Sequence, residues 1–171
     1  MMRNLRYLLV LVLSLGMTAH FGEAVSGHAA DVQDHSPGKI RLEVYKSPTC
    51  GCCAKWVEHA EAAGFETAVH HPQDLNRIKI DHAIAPRYQS CHTAVSEGGH
   101  VFEGHIPAKF IREFFKSPPK GAVGLAVPGM PAGSPGMEMG KRFSPYQILL
   151  LKANGESEVF AEVRSAREQY R

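Results

Sequence analysis

Residues 40–69, IRLEVYKSPTCGCCAKWVEHAEAAGFETAV, carry the pattern that decides the fold. Alternate residues from Ile40 to Val44 are apolar, which predicts a β-strand. After a Ser-Pro-Thr break, Cys52 to Ala63 has apolar side chains at helical spacing, and Gly64 is suited to end that helix. Phe65 to Val69 predicts a second strand. This segment is therefore a strand–helix–strand unit with cysteines where the first strand passes into the helix.

Three further elements are predicted between residues 72 and 119. A polar helix is expected from Pro72 to about Ile80. Cys91 to Val95 and His100 to Gly104 flank a Glu-Gly-Gly turn and predict a β-hairpin. Pro107 suits the first turn of another helix, whose apolar face would be formed by Phe110, Ile111, Phe114 and Phe115.

The rest of the chain predicts a loop and a second hairpin. Residues 120–140 are rich in Gly, Pro and Met and predict a long loop of the kind that often carries function. Tyr146 to Leu151 and Glu158 to Phe160, joined through Ala-Asn-Gly, predict the hairpin. A βαβ unit with a cysteine motif at its strand-to-helix junction predicts a thioredoxin-like α/β fold. We therefore expect a single thioredoxin-like domain with an additional β-hairpin and a long Gly/Pro/Met loop.

The N-terminus has the layout of a secretory signal peptide. Arg3 and Arg6 precede an apolar run from Leu8 to Met17, and small residues follow it. That run is about half the ~20 residues that a membrane-spanning helix needs, so a retained anchor is the weaker alternative. We predict a signal peptide over residues 1–29, a flexible leader over 30–38, the metal-binding domain over 39–161 and a polar tail over 162–171.

The composition limits the functional class. The 171 residues carry a formal net charge of only +2 and no long run of one sign, whereas nucleic-acid binding usually needs a concentrated basic face. Ten His, six Met and four Cys are the more unusual counts. All three side chains bind soft or borderline metal ions. A metal-related function is therefore favoured over nucleic-acid binding.

Three of the four cysteines, Cys50, Cys52 and Cys53, lie within four consecutive positions. Thiols in an exported protein tend to pair, but a disulfide within this cluster closes almost no loop and so adds little stability. The predicted helix N-terminus offers unpaired N–H groups and a positive dipole end, which lower thiol pKa values. Redox attack and metal ligation are both favoured there.

The number of thiols separates these two uses. Cys50 and Cys53 have the CxxC spacing of thiol oxidoreductases, but such an enzyme needs only two cysteines. Three thiolates around one point suit a soft ion, above all Cu(I). Structural zinc sites usually take paired ligands from two separated segments. The cluster therefore favours copper, while the CxxC pair keeps disulfide exchange as an alternative.

Other residues are candidate ligands with plainer alternatives. Cys91 begins a predicted strand and can be a ligand, a disulfide partner of the cluster, or a buried core cysteine. His105 lies at a strand-to-helix turn and is a better copper-ligand candidate than His100, since either can also be a surface histidine. His59 lies on the face of Cys52 seven positions later and is expected to face solvent.

The predicted loop contains three methionines, Met130, Met137 and Met139. A core Met normally lies on a periodic apolar face, and these do not. Thioether sulfur binds Cu(I) without losing a proton, which suits an oxidising compartment where thiols are vulnerable. Gap filling is the alternative for each of them.

Four motifs together resemble the CopG-type periplasmic copper-handling proteins, a family formerly catalogued as a domain of unknown function. They are Cys-Gly-Cys-Cys at 50–53 with Trp56 and Gly64-Phe65, Ser-Cys-His-Thr-Ala at 90–94, Glu-Gly-His-Ile-Pro-Ala at 103–108, and the Gly/Pro/Met segment at 124–138. The resemblance covers about residues 40–160. It implies a thioredoxin-like periplasmic domain linked to copper resistance.

The resemblance also implies a copper site, which can be multinuclear, built on the CxCC thiols. By motif position it assigns metal ligation to Cys50, Cys52, Cys53, Cys91, His105, Met130 and Met137. His100 matches less well, because an aromatic residue is expected at that position. Other periplasmic copper-export or copper-resistance proteins would be its partners, and interconversion of Cu(I) and Cu(II) is an activity considered for the family.

Two hypotheses of function follow. The first is a periplasmic copper-binding protein that sequesters or passes on Cu(I). The second is a thiol or copper oxidoreductase in which Cys50 and Cys53 are the redox-active pair. A structural zinc domain is a third reading, which predicts that chelation unfolds the protein.

Overall fold

A computed structural model describes residues 39–170 of the chain. The predicted signal peptide (1–29) and leader (30–38) lie outside the described residues, so these boundaries stay predictions. Within residues 39–170, no helix is both long and apolar enough to cross a membrane.

The described chain is a mixed α/β domain with three α-helices and a seven-stranded sheet. The strands are β1 (Arg41–Lys46), β2 (Glu66–His70), β3 (His92–Ser96), β4 (Val101–Glu103), β5 (Ala122–Ala126), β6 (Tyr146–Lys152) and β7 (Ser157–Val163). The helices are α1 (Gly51–Ala62), α2 (Leu75–Asp81) and α3 (Ala108–Lys116), with short 3-10 turns at Pro86–Tyr88 and Ala166–Gln169. The mixed α/β class predicted from the sequence is confirmed.

The strands lie in the order β2-β1-β3-β4-β5-β6-β7. β1 pairs parallel with β2, and β4 pairs parallel with β5, while the other neighbours are antiparallel. The parallel β1–β2 pair needs a crossover connection, which α1 provides. Since α1 starts directly after β1, the cysteine motif lies at the end of a central strand.

Side chains from the two faces of the sheet enter different apolar clusters. Phe102 and Leu125 pack in the larger cluster with Trp56 of α1 and Phe114 of α3. The neighbouring Val101 points to the opposite face, into a smaller cluster with Ile84 and Tyr88. The large cluster therefore fixes α1 and α3 against the sheet, and with them the segments that begin each helix.

The predicted loop at 120–140 is wrong in its first part, which contains β5. The strand was not predicted from the sequence because Gly124 interrupts its apolar run, and glycine weakens a strand pattern. At this position the backbones approach closely: a Cβ on Gly124 would lie 1.7 Å from the carbonyl oxygen of Val101. Glycine is thus required for the pairing of β5 with β4. The irregular Gly/Pro/Met loop therefore covers only residues 127–140, and it includes Met139, which forms an isolated bridge with Arg142.

The C-terminal residues pack on the domain beyond the predicted boundary at 161. β7 continues to Val163, which is fully buried. Gln169 is 1% exposed. Its side-chain amide donates to the carbonyl of Gly133 at 2.9 Å, and its side-chain oxygen accepts from the hydroxyl of Tyr146 at 2.6 Å. Part of the segment predicted as a tail therefore supports the Gly/Pro/Met loop.

Candidate metal centre

The CxCC motif forms the first turn of α1. Cys50 is the N-cap residue, and its sulfur accepts a hydrogen bond from the backbone N–H of Cys53 at 3.4 Å. Cys50 and Cys53 are joined by a disulfide, and the sulfur of Cys52 lies 3.4 Å from that of Cys50. Three sulfur atoms are therefore gathered at the positive end of a helix dipole, where anionic thiolates are stabilised.

Cys91 reaches this cluster through the register of the sheet. β3 runs antiparallel to β1, and His92 pairs with Lys46 at the end of β1. The residue before His92 therefore lies beside the start of α1, and the carbonyl of Cys91 is 3.8 Å from the sulfur of Cys53. The four cysteine sulfurs all lie within 4.8 Å of one another.

His105 comes to the same point from β4. β4 returns antiparallel to β3, so the residues after Glu103 meet those before Thr93. The Nε2 of His105 lies 3.0 Å from the sulfur of Cys91, and its Nδ1 lies 2.8 Å from the carbonyl oxygen of Pro135. A carbonyl can only accept, so Nδ1 carries the proton and Nε2 is the nitrogen with a free lone pair. This is the tautomer that a metal ligand needs, with its other nitrogen oriented by a backbone carbonyl.

His92 belongs to the same group, although the sequence did not single it out. Its ring is fully buried, 4.4 Å from Trp56 and 5.0 Å from the ring of His105. Its Nδ1 lies 3.5 Å from the sulfur of Cys91, and its Nε2 has no hydrogen-bond partner among the described residues. One nitrogen of each histidine and the Cys91 sulfur lie within 4.8 Å of one another. Its position next to Cys91 in Ser-Cys-His-Thr was the signal that could have identified it.

The methionine segment lies beside the cluster. Met130, Met137 and Met139 line an open groove of about 450 Å³ together with Cys52 and Lys55. Gly136 holds the segment against α1: it has a φ of +85°, and a Cβ there would lie 2.5 Å from the carbonyl oxygen of Cys52. Only glycine allows this approach. The two methionines assigned by motif position are therefore next to Cys52, with Met130 exposed and Met137 half-buried.

Comparison with known proteins places the chain in a family. Residues 88–137 match the model of a protein family of unknown function, DUF411. Two solved structures, described as copper resistance protein CopG in form 2 and form 1, are 39% and 40% identical to the chain. Each alignment covers 73% of this chain and 98% of the other, with TM-scores of 0.69 and 0.68. The chain belongs to the CopG family. No curated protein matches it significantly.

Two other histidines of this CopG-family chain lie elsewhere. His100 packs edge-on against Phe114 and Phe115, with ring centroids 5.0 and 6.1 Å apart, and so belongs to the hairpin and α3. His59 was predicted to face solvent, and this is wrong. It is partly buried, and its Nε2 accepts the backbone N–H of Ala108 at 3.0 Å. Since Ala108 begins α3, His59 satisfies one of the N–H groups that a helix start leaves unpaired.

Burial controls protonation in the centre. It raises the pKa of the Cys91 thiol to about 11, with the neighbouring Cys52 adding to the effect. Burial also lowers the pKa of His105, and it lowers that of His92 well below its usual value. Near neutral pH the metal-free centre therefore contains a protonated Cys91 and neutral imidazoles. A bound cation would stabilise the Cys91 thiolate, so that binding releases a proton.

Proposed function

We propose that this protein binds copper as Cu(I) and acts in copper homeostasis or resistance. The observation that carries the proposal is the convergence of four cysteine sulfurs and two buried imidazoles on one end of the sheet. Thiolate and imidazole donors suit Cu(I), whereas they are poor ligands for Mg²⁺ or Ca²⁺. Membership of a family with structures described as copper resistance proteins supports the same function.

We propose Cys50, Cys52, Cys53, Cys91 and His105 as the principal ligands. Two potential ligand groups share the sulfur of Cys91: the four cysteines form one, and Cys91 with the two histidines forms the other. A thiolate common to two groups supports a centre that holds more than one copper ion. In the disulfide form Cys50 and Cys53 have no thiolate to give, so loading of the first group requires the reduced pair.

Met130 and Met137 are proposed as additional ligands for the ion nearest Cys52. The groove they line opens to solvent beside that residue. Thioethers stay neutral and need no deprotonation, so they can hold Cu(I) while the thiolates exchange. Copper would then pass along the groove to or from other copper-resistance proteins.

We also propose that the protein is periplasmic and that its core is thioredoxin-like. The predicted signal peptide supports export to the periplasm, where disulfides persist. The strand order β2-β1-β3-β4, with α1 between β1 and β2 and its cysteines at the start of α1, supports a thioredoxin-like core. β5, β6 and β7 would then be an extension of that core.

Metal analysis tests the function. Reduced protein exposed to copper without oxygen is expected to retain copper, whereas a variant with Cys50, Cys52 and Cys53 all changed to Ser is expected to lose most of it, because the first ligand group disappears. His100→Asn, which lies away from the centre, is the control and should load as the wild type does. Equal copper content in the wild type and the triple variant would contradict the proposal. Zinc retained with copper excluded, and unfolding on chelation, would indicate a structural zinc site instead.

A second function, a thiol or copper oxidoreductase, is favoured by the Cys50–Cys53 disulfide. Reduced Cys50 and Cys53 hold two electrons. Forming the disulfide would reduce two Cu(II) ions to Cu(I) and release the thiol protons. We expect the reduced wild type to convert Cu(II) to Cu(I), with repeated turnover when a dithiol restores the pair. Cys50→Ser should abolish the turnover, and full turnover in that variant would exclude the pair as the electron source.

A further inference from the structure

A buried ion pair lies on the strands that carry Cys91 and His105. The ammonium group of Lys79, on α2, is 2.5 Å from the carboxylate of Glu103, at the end of β4. The residues are 2% and 0% exposed. Long charged side chains are rarely buried this completely unless they are paired.

The carboxylate of Glu103, on β4, accepts three hydrogen bonds, each from a different neighbouring segment. One oxygen accepts from Lys79 and, at 2.6 Å, from the backbone N–H of Ser90. The other accepts from the hydroxyl of Thr93 at 2.6 Å, and that hydroxyl in turn accepts from Lys79 at 3.0 Å. α2, the segment before β3, β3 itself and β4 are thereby connected through one carboxylate.

These contacts surround Cys91 and His105, two of the proposed ligands. Ser90 directly precedes Cys91, and Glu103 lies two residues before His105. Between them, Gly104 has a φ of +79°, and a Cβ there would lie 2.6 Å from the side chain of Ser90. The turn at Gly104, which precedes His105, therefore packs closely against Ser90, which precedes Cys91. The bond from Ser90 to Glu103 ties together the two segments whose side chains meet at 3.0 Å.

Stability alone does not account for a buried ion pair. Removing two charges from water costs several kcal/mol per ion, and apolar replacements of similar size are often as stable or more so. What an apolar pair cannot do is accept the N–H of Ser90. The specific contribution of Glu103 is therefore the geometry of this segment.

We infer that Glu103, held in place by Lys79, is a positioning residue that sets Cys91 against His105 for copper binding. It touches neither the sulfur nor the imidazole and acts through the backbone of Ser90. The inference rests on the proposed copper site, but its geometric part can be tested without metal.

Two double variants differ in whether residue 103 keeps polar atoms that can bond to the N–H of Ser90 and the hydroxyl of Thr93. Lys79→Met with Glu103→Gln removes both charges but keeps an amide oxygen that can accept from Ser90. Lys79→Met with Glu103→Leu removes the charges and the acceptor. We expect the Leu variant to bind Cu(I) about tenfold or more weakly, within the range for outer-shell changes, and the Gln variant to stay close to the wild type. Affinity is measured under reducing conditions by competition with a chromogenic Cu(I) chelator.

The metal-free measurement is the alkylation rate of Cys91, in a background where Cys50, Cys52 and Cys53 are Ser. Loosening the Ser90 segment should expose the sulfur, so alkylation should be faster in the Leu variant than in the Gln variant. Ile148→Ala, which removes buried volume on β6, controls for general destabilisation and should leave the rate unchanged well below its melting temperature.

The outcomes distinguish the positioning role of Glu103 from copper binding itself. Equal affinity and equal alkylation in the Gln and Leu variants would overturn the positioning role. A wild type that binds no copper would overturn the proposed function, while the alkylation comparison would still decide the inference. If the Leu variant does not fold, Lys79→Met with Glu103→Met removes the same acceptor with an unbranched side chain, and an alkylation rate equal to that of the Gln variant would overturn the inference.

Discussion

His105 is fixed by contacts at both ring nitrogens. Its Nδ1–H donates to a carbonyl of the Gly/Pro/Met loop, and its Nε2 faces the sulfur of Cys91. Rotating the ring would break both contacts in a fully buried place, where lost hydrogen bonds are costly. The imidazole is therefore held against the thiol in one orientation, which would reduce the ordering cost of binding a metal ion.

His59 predicts a pH effect on stability outside the centre. Burial lowers its pKa, and its Nε2 must be unprotonated to accept the N–H of Ala108. The unfolded chain therefore takes up this proton more readily than the folded one. The contribution of His59 is present above the ordinary imidazole pKa near 6.5 and is lost as the pH falls through the lower folded value.

His59→Gln is expected to remove that part of the pH dependence, because an amide oxygen can accept the same N–H at any pH. The free energy of unfolding should fall between pH 7.5 and 5 by on the order of 1 kcal/mol more in the wild type than in the variant, about the value of one hydrogen bond. Urea unfolding at several pH values measures this. His92 and His105 add dependence of the same sign to both proteins, so the difference isolates His59. Parallel pH profiles would contradict the assignment.

At the residue scale the sequence predicted the cysteine cluster but not the residues that surround it. The close spacing of Cys50, Cys52 and Cys53 was sufficient to predict a cluster, because neighbours in sequence at a helix start are neighbours in space. The burial of His92 and the capping role of His59 depend on Trp56 and on α3, which contact them from distant parts of the chain. No local pattern contains that information.

Among the elements, the Gly/Pro/Met loop depends on one close contact with α1. Gly136→Ala would place a methyl group 2.5 Å from the carbonyl oxygen of Cys52 and 2.9 Å from the N of Trp56. The loop would have to move away from the helix start and carry Met137 with it. We expect weaker Cu(I) binding, by about tenfold as for other outer-shell changes, measured by chelator competition.

Gly140→Ala is the matched control for this variant. Both glycines have positive φ, +85° and +63°, so each substitution introduces similar backbone strain, but a Cβ at 140 meets nothing within 4 Å. The control should lose about 1 kcal/mol of stability from the backbone strain alone and keep its copper affinity. If both variants bind copper equally well, the packing of the loop on α1 does not contribute to the site.

Most elements could be predicted because their patterns are local. Alternation gave β1, and the apolar face of Phe110, Ile111 and Phe114 gave α3, since each reflects burial on one side of a regular element. β5 was missed for the opposite reason. Glycine is required at position 124 because the backbone of Val101 on the neighbouring strand lies very close to it. The sequence of β5 alone does not contain that contact.

For the whole molecule, the sheet order explains how separated motifs meet. The end of β1, the start of β3 and the end of β4 lie side by side at one end of the sheet. The motifs at 50–53, 90–94 and 103–108 follow or precede these strand ends, so the register brings them to one place. The sequence suggested that Cys91 lay near the helix start, but its contact with His105 needed the pairing of Thr93 with Glu103.

The central position of β3 and β4 has a consequence for how the site opens. Both strands have hydrogen-bonded neighbours on either side, whereas β2 and β7 are the sheet edges. Local unfolding starts at edges and loops and reaches the interior strands last. Amide hydrogens of β3 and β4 should therefore exchange with solvent among the slowest of the described residues. The segment around Met130 and Met139 is exposed and is expected to open first. One side of the proposed site is therefore rigid and the other is flexible, and a metal ion would enter and leave through the flexible side.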